Sequence, residues 1–219
     1  MSGITYDYME EYIRSLIPGN TGILNEMENY AAENNIPIVQ PETGNFLKLI
    51  INIKKPFNIL ELGTAIGYSS ILMSISAGKK CTVTTIERDT EMIKKAKENI
   101  SKYGFNSTIN VIEGECIEVL SNLSDNYDII FMDAGKAHYN HFLPYCEKLL
   151  KEDGIIVADN VLFRGMVASK ELVKRRKITI VKRMRSYLKL VSEKKFITSI
   201  IPMGDGISVT IRRDLHEKF

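Results

Sequence analysis

From Phe57 onward the chain alternates between two rhythms. Short runs of β-branched and aliphatic residues, Asn58 to Leu62, Thr82 to Ile86, Thr108 to Ile112, Asp128 to Met132 and Gly154 to Ala158, read as strands. Between them Ser69 to Ser76, Glu91 to Tyr103, Ile117 to Leu123 and His141 to Leu150 carry apolar residues at helical spacing. Unbroken apolar strands separated by amphipathic helices predict a doubly wound α/β fold, its mostly parallel sheet covered on both faces. Two later runs, Phe196 to Ile201 and Gly206 to Ile211, flank a Met203-Gly204-Asp205 turn and predict an antiparallel pair that completes seven strands. The chain before Phe57 reads as helices. Tyr6 to Leu16 stops at Pro18-Gly19-Asn20, a second helix runs from about Gly22 to Asn34, and Pro41 opens a third. With no repeat and no low-complexity linker, residues 1–219 predict one domain, with 1–55 as its helical cover.

Composition agrees with this picture. Apolar residues make up 44% and charged residues 26%, enough for a core and a hydrated surface. No apolar run approaches the roughly 20 residues that cross a bilayer. The charged start, with Asp7, Glu10, Glu11 and Arg14, does not read as a secretory signal. Cys81, Cys116 and Cys146 are too widely spaced for a disulfide framework, which points to a reducing, cytoplasmic compartment. The net charge of +2 hides a strong asymmetry. Seven acidic residues and one basic residue precede Lys48, whereas twelve Lys or Arg and two Glu lie between Arg164 and Lys195. A basic segment of this kind attracts polyanions.

Candidate chemistry sits at the strand ends. The first strand runs into Glu61-Leu62-Gly63-Thr64-Ala65-Ile66-Gly67-Tyr68-Ser69, a glycine loop that opens a helix. It has GxxxG spacing behind an acid, not the GxGxxG of a pyrophosphate site. A carboxylate there disfavours phosphate and suits a cationic ligand such as S-adenosyl-L-methionine. Twenty-four residues after Gly63, Glu87 ends the second strand, where an acid can accept both ribose hydroxyls or simply cap the next helix. Asp133 and Lys136 follow the fourth strand, and Asp159 and Asn160 the fifth. Two carboxylates and an amide oxygen at neighbouring strand tips suit Mg²⁺ or Mn²⁺, although a lone strand-end Asp is more often a cap.

In order and spacing, the glycine loop, Ile86-Glu87-Arg88, Phe131-Met132-Asp133-Ala134-Gly135-Lys136, Ala158-Asp159-Asn160-Val161-Leu162 and Pro202-Met203-Gly204-Asp205-Gly206 resemble the cation-dependent O-methyltransferases of the catechol and caffeoyl-CoA type. The likeness spans Val39 to Arg212. Within the family, Asp159 to Phe163 followed by Gly165 and a basic helix is most similar to bacterial tRNA 5-hydroxyuridine methyltransferases. The resemblance implies Asp133, Asp159 and Asn160 as metal ligands and Lys136 as general base, with Asp133 also facing the cofactor. It implies cofactor contacts from Val39, Glu61, Gly63, Ser69, Glu87, Gly114, Glu115 and Cys116, and a homodimer. A lysine desolvated beside a cation can accept a proton. On this reading Lys174, Arg175, Arg176, Lys177, Lys182, Arg183 and Arg185 meet RNA, and the acceptor is the wobble uridine of a tRNA anticodon stem-loop. The alternatives are a small catechol-like or acyl-CoA phenol, or a non-catalytic RNA-binding protein on the same fold.

Overall fold

A computed structural model describes residues 3–213. The ends of the expected single domain, residues 1–2 and 214–219, lie outside the described residues. Three helices come first: α1 (Asp7–Leu16), α2 (Ile23–Glu33) and α3 (Pro41–Lys54). Strands and helices then alternate as β1 (Asn58–Leu62), α4 (Tyr68–Ser76), β2 (Thr82–Glu87), α5 (Thr90–Lys102), β3 (Ile109–Glu113), α6 (Cys116–Asn122), β4 (Tyr127–Met132), α7 (Tyr139–Leu149) and β5 (Leu150–Ala158). Helix α8 (Ile178–Val191) and the hairpin β6 (Phe196–Ile201) and β7 (Ile207–Arg212) complete the chain.

The strands lie in the order β3-β2-β1-β4-β5-β7-β6, with only the last pairings antiparallel. Successive side chains on a strand point to opposite faces. Ile59 and Ile129 therefore enter one core with Leu47, Ile71, Val83 and Ala96, while Leu60 and Ile130 enter the other with Phe142, Cys146, Met184 and Tyr187. The two hydrophobic layers explain why β4 is buried at every position. Strand order reverses between β1 and β4, so a crevice opens at their carboxyl ends, where such sheets hold ligands.

The elements differ from the sequence reading in two informative places. Strand β5 begins at Leu150, not Gly154, because a register shift near Tyr127 lets the extra turn pair with β4. Lys151 there forms an ion pair with Asp128 at 2.9 Å. The basic helix is the second correction. Lys174 is extended, Arg175–Lys177 make a short 3₁₀ turn, and α8 starts only at Ile178. Of the later cations, Arg183 donates to the carbonyl of Ala137 and Arg185 to those of Val167 and Met166. Those two arginines fasten α8 to the site loops, so of the seven cations expected to meet RNA the exposed ones are Lys174–Lys177 and Lys182. No described helix is long and apolar enough to cross a membrane.

Candidate active site

Backbone hydrogen bonds bring the functional strand tips into line. The N–H of Gly63 donates to Ile86, that of Asp133 to Leu62, and that of Asp159 to Met132, each at 3.0 Å. The glycine loop, Asp133 and Asp159 thus form one edge. Buried Tyr139 stitches it from behind, its hydroxyl reaching the carbonyls of Met132 at 2.8 Å and Asp159 at 3.2 Å. Its contribution was not legible in the sequence, where Tyr139 is one more apolar helix position.

Above this edge lies a cavity of about 560 Å³. Gly63, Ala65, Glu87, Asp133, Lys136, Asp159 and Asn160 all line it. Asn160 sits in the left-handed region at φ 60°, where Asn is among the more tolerant residues, and its N–H donates to the Asp159 carboxylate at 2.6 Å. Burial pushes both carboxyls well above the usual range. At Asp133 the charge of Lys136 opposes the rise and Glu61 adds to it; at Asp159 the charge of Asp133 adds to it. Two desolvated acids on one cavity wall form a donor set that a cation would stabilise. No cluster of three or more His, Cys, Asp or Glu that could hold a metal occurs among the described residues, so the set here is two carboxylates and an amide.

Glu87 does not cap α5; Asp89 does, accepting from the N–H groups of Glu91 and Met92. The Glu87 carboxylate accepts from Ala65 N–H at 2.9 Å and from Arg88 and Asp89, which fixes it against the glycine loop. Each carboxylate oxygen keeps further accepting capacity, so Glu87 can still take ribose hydroxyls. It also lines a second cavity of about 200 Å³, shared with Gly114, Glu115, Cys116 and Phe142. An adenine-sized ring next to a ribose acceptor fits that arrangement.

Three expected cofactor residues are buried and are not among those lining the cavity. Val39 is buried, and its neighbours Ile38 and Gln40 line the cavity. Ser69 is buried as well. Glu61 is fully buried beneath the glycine loop, where Ser70 and Thr85 donate to one carboxyl oxygen and the other has no partner. Burial raises its pKa to about 7, against the favourable hydroxyls of Ser69, Ser70 and Thr85. A strand-end acid looks ligand-facing in the sequence, but Glu61 lies one residue inside the end of β1, on a strand buried on both faces. Conversely, Arg14, Arg164, Gly204 and Asp205 line the cavity and were not singled out as site residues. The glycine-rich turn at 203–206 was the available signal for the last two.

The burial of Glu61 has a measurable consequence. Its proton is held more tightly in the folded chain, at about 7, than at the ordinary 4.5. Its contribution to stability is therefore fully present below the ordinary value and is lost as pH rises through 7. The loss amounts to about 3 kcal/mol. Glu61→Gln should gain that amount over the native chain between pH 5 and pH 8.5, measured by urea unfolding without cofactor. Parallel pH curves for the two proteins would refute the assignment.

A doubly wound sheet whose first strand runs into a glycine loop has the architecture of nucleoside-cofactor enzymes, methyltransferases among them. The chain matches the O-methyltransferase family over residues 17–213 and belongs to it. It is 32% identical to a catechol O-methyltransferase of Niastella koreensis over 76% of this chain and 78% of that protein. It is 29% identical to the caffeoyl-CoA O-methyltransferase of Populus kitakamiensis over 80% and 77% of the respective chains. A solved Staphylococcus aureus structure is 34% identical and covers 94% of this chain and 100% of its own, with TM-score 0.87. The methyltransferase PaMTH1 of Podospora anserina, solved with SAH bound, shares the fold at TM-score 0.84 and 23% identity over 95% of both chains. The protein is thus an S-adenosylmethionine-dependent O-methyltransferase of the catechol and caffeoyl-CoA type, which removes the non-catalytic alternative.

Proposed function

We propose that the acceptor hydroxyl is drawn into the cavity by a divalent cation, Mg²⁺ or Mn²⁺, held by Asp133, Asp159 and Asn160. We further propose that this hydroxyl belongs to 5-hydroxyuridine at the wobble position of tRNA. The metal reading is carried by one observation: two desolvated carboxylates and an amide share a cavity wall with the glycine loop. Their hard oxygens fit such a cation. Bound there, the cation would acidify and orient the acceptor hydroxyl, and S-adenosylmethionine would supply the methyl group. The chain's own residues do the rest. Glu87 takes the ribose hydroxyls, the pinned glycine loop fixes the donor's position, and Lys136 Nζ is the base that can accept the hydroxyl proton. Pro37 and Ile38 add an apolar stretch to the cavity wall. Such positioning accounts for much of the acceleration.

The RNA reading rests on the surface around the mouth. Arg164 lines the cavity and is exposed. Its neighbour Phe163 lies under Lys177, with Nζ 6.0 Å from the ring centre, so the exposed Lys174–Lys177 run flanks the entrance. The names of the relatives favour the second reading, a small catechol-like or acyl-CoA phenol, with the basic run meeting CoA phosphates. Labelled-methyl transfer to bulk tRNA, catechol and caffeoyl-CoA separates them. Label is expected in tRNA, and replacing Lys174–Lys177 together by Glu should raise the KM for tRNA at least about tenfold and flatten its salt dependence. Label in a phenol alone would overturn the RNA reading.

A further inference from the structure

The side of the cavity away from the glycine loop is built from parts that lie far apart in the chain. Arg14, from α1, reaches it beside Gln40 and Gly204. Its Nε and Nη2 both bond the carboxylate of buried Glu42 at 2.9 Å, and Nη2 also bonds the side-chain oxygen of Gln40 at 3.1 Å. This fork-on-fork pairing holds the guanidinium in one plane. It leaves Nη1 with no protein partner among the described residues. Glu42 in turn packs on Gly204, where an added Cβ would lie 3.6 Å from Oε1 and 3.3 Å from Thr43 Oγ1. The Met203–Gly206 turn is bonded to the chain directly after Asn160, through Val161 N–H to Gly206 and Leu162 N–H to Asp205. A continuous line of contacts therefore runs from Asn160 through the turn and Glu42 to Arg14.

A purely structural ion pair needs neither a bidentate clamp nor a position on a ligand cavity. The pair also ties α1 to the fold, since the large apolar side chains of that helix, Tyr8, Met9, Tyr12, Ile13 and Leu16, are all exposed. We propose that Arg14 is the acceptor-orienting residue of this enzyme: Nη1, steadied by Glu42 and Gln40, donates to an oxygen of the acceptor, a base carbonyl or a phosphate, while the reacting hydroxyl lies at the strand tips. This deepens the RNA reading and rests on it. It accounts for a cationic fork on a wall that would otherwise meet an apolar ring.

The experiment compares native enzyme, Arg14→Met and Arg14→Lys on a 5-hydroxyuridine-bearing anticodon stem-loop and on free 5-hydroxyuridine. Affinity for S-adenosylhomocysteine and melting temperature are measured alongside. Arg14→Lys keeps a charge for Glu42 but has no second limb. Both variants should raise the acceptor KM at least about tenfold, with affinity for S-adenosylhomocysteine within about twofold of native and Arg14→Lys restoring any lost thermal stability. A KM rise on both acceptors identifies a base carbonyl; a rise on the stem-loop alone identifies a phosphate. Recovery of native KM by Arg14→Lys, or an unchanged KM in Arg14→Met, overturns the proposal while leaving the RNA reading intact. A native enzyme that methylates neither acceptor overturns both.

Discussion

Asp159→Asn should lose methyl transfer by about three orders of magnitude and should leave the fold unharmed. The amide keeps the oxygen that accepts the Asn160 N–H, so the loop after β5 retains its tether. What disappears is one of the two negative charges at the strand tips. Desolvation and repulsion from Asp133 raise the Asp159 carboxyl, so in metal-free protein the neutral amide should match or exceed native stability. On the proposed metal site, activity depends on those charges because a divalent cation needs anionic oxygens. A thousandfold loss corresponds to about 4 kcal/mol of transition-state stabilisation. The check is transfer of labelled methyl against Mg²⁺ concentration, with affinity for S-adenosylhomocysteine as control. Native turnover, or turnover that remains saturable at the native Mg²⁺ concentration, would rule out Asp159 as a ligand.

The second large effect is expected from one methyl group. Gly63 adopts φ 103°, a conformation that L side chains rarely reach, and an added Cβ would lie 2.7 Å from the Ala134 Cβ and 3.2 Å from its backbone nitrogen. Ala134 follows Asp133 directly, so relief of the clash moves the site itself. Gly63→Ala should cost about 2–3 kcal/mol in stability. It should also weaken S-adenosylhomocysteine binding by about a hundredfold or more, measured by calorimetry. Adding Ala134→Gly removes the Cβ–Cβ overlap but not the backbone strain, so the double variant should recover part of the loss. Unchanged binding in Gly63→Ala would mean that the loop does not approach the cofactor.

These expectations rest on strand tips that the sequence announces clearly. A parallel strand buried on both faces leaves a largely apolar run, and β2, β4 and β5 each end where an acidic residue interrupts it. Glu87, Asp133, Asp159 and Asn160 stand at those interruptions, and the cavity collects all four. Depth is harder to read. Glu61 and Val39 were expected at the ligand, yet Glu61, one residue inside the end of β1, is bonded to Ser70 and Thr85, and Ile38 and Gln40 take the wall beside Val39. The basic segment misled for another reason. Lys and Arg are strong helix formers, but the run at 174–177 has no apolar stripe to hold a helix against the core, and α8 begins only where Ile178, Val181 and Met184 supply one. Arg14 is more than a hundred residues from Asp133 and Asp159, whose cavity it lines, a distance no local pattern spans.

Mn²⁺ binding to the protein loaded with S-adenosylhomocysteine, followed by electron paramagnetic resonance, tests the metal site most directly. One bound ion per chain is expected for the native protein and none for the variant carrying both Asp133→Asn and Asp159→Asn. A native chain that binds no Mn²⁺ and still transfers methyl groups after exhaustive chelation would contradict the account.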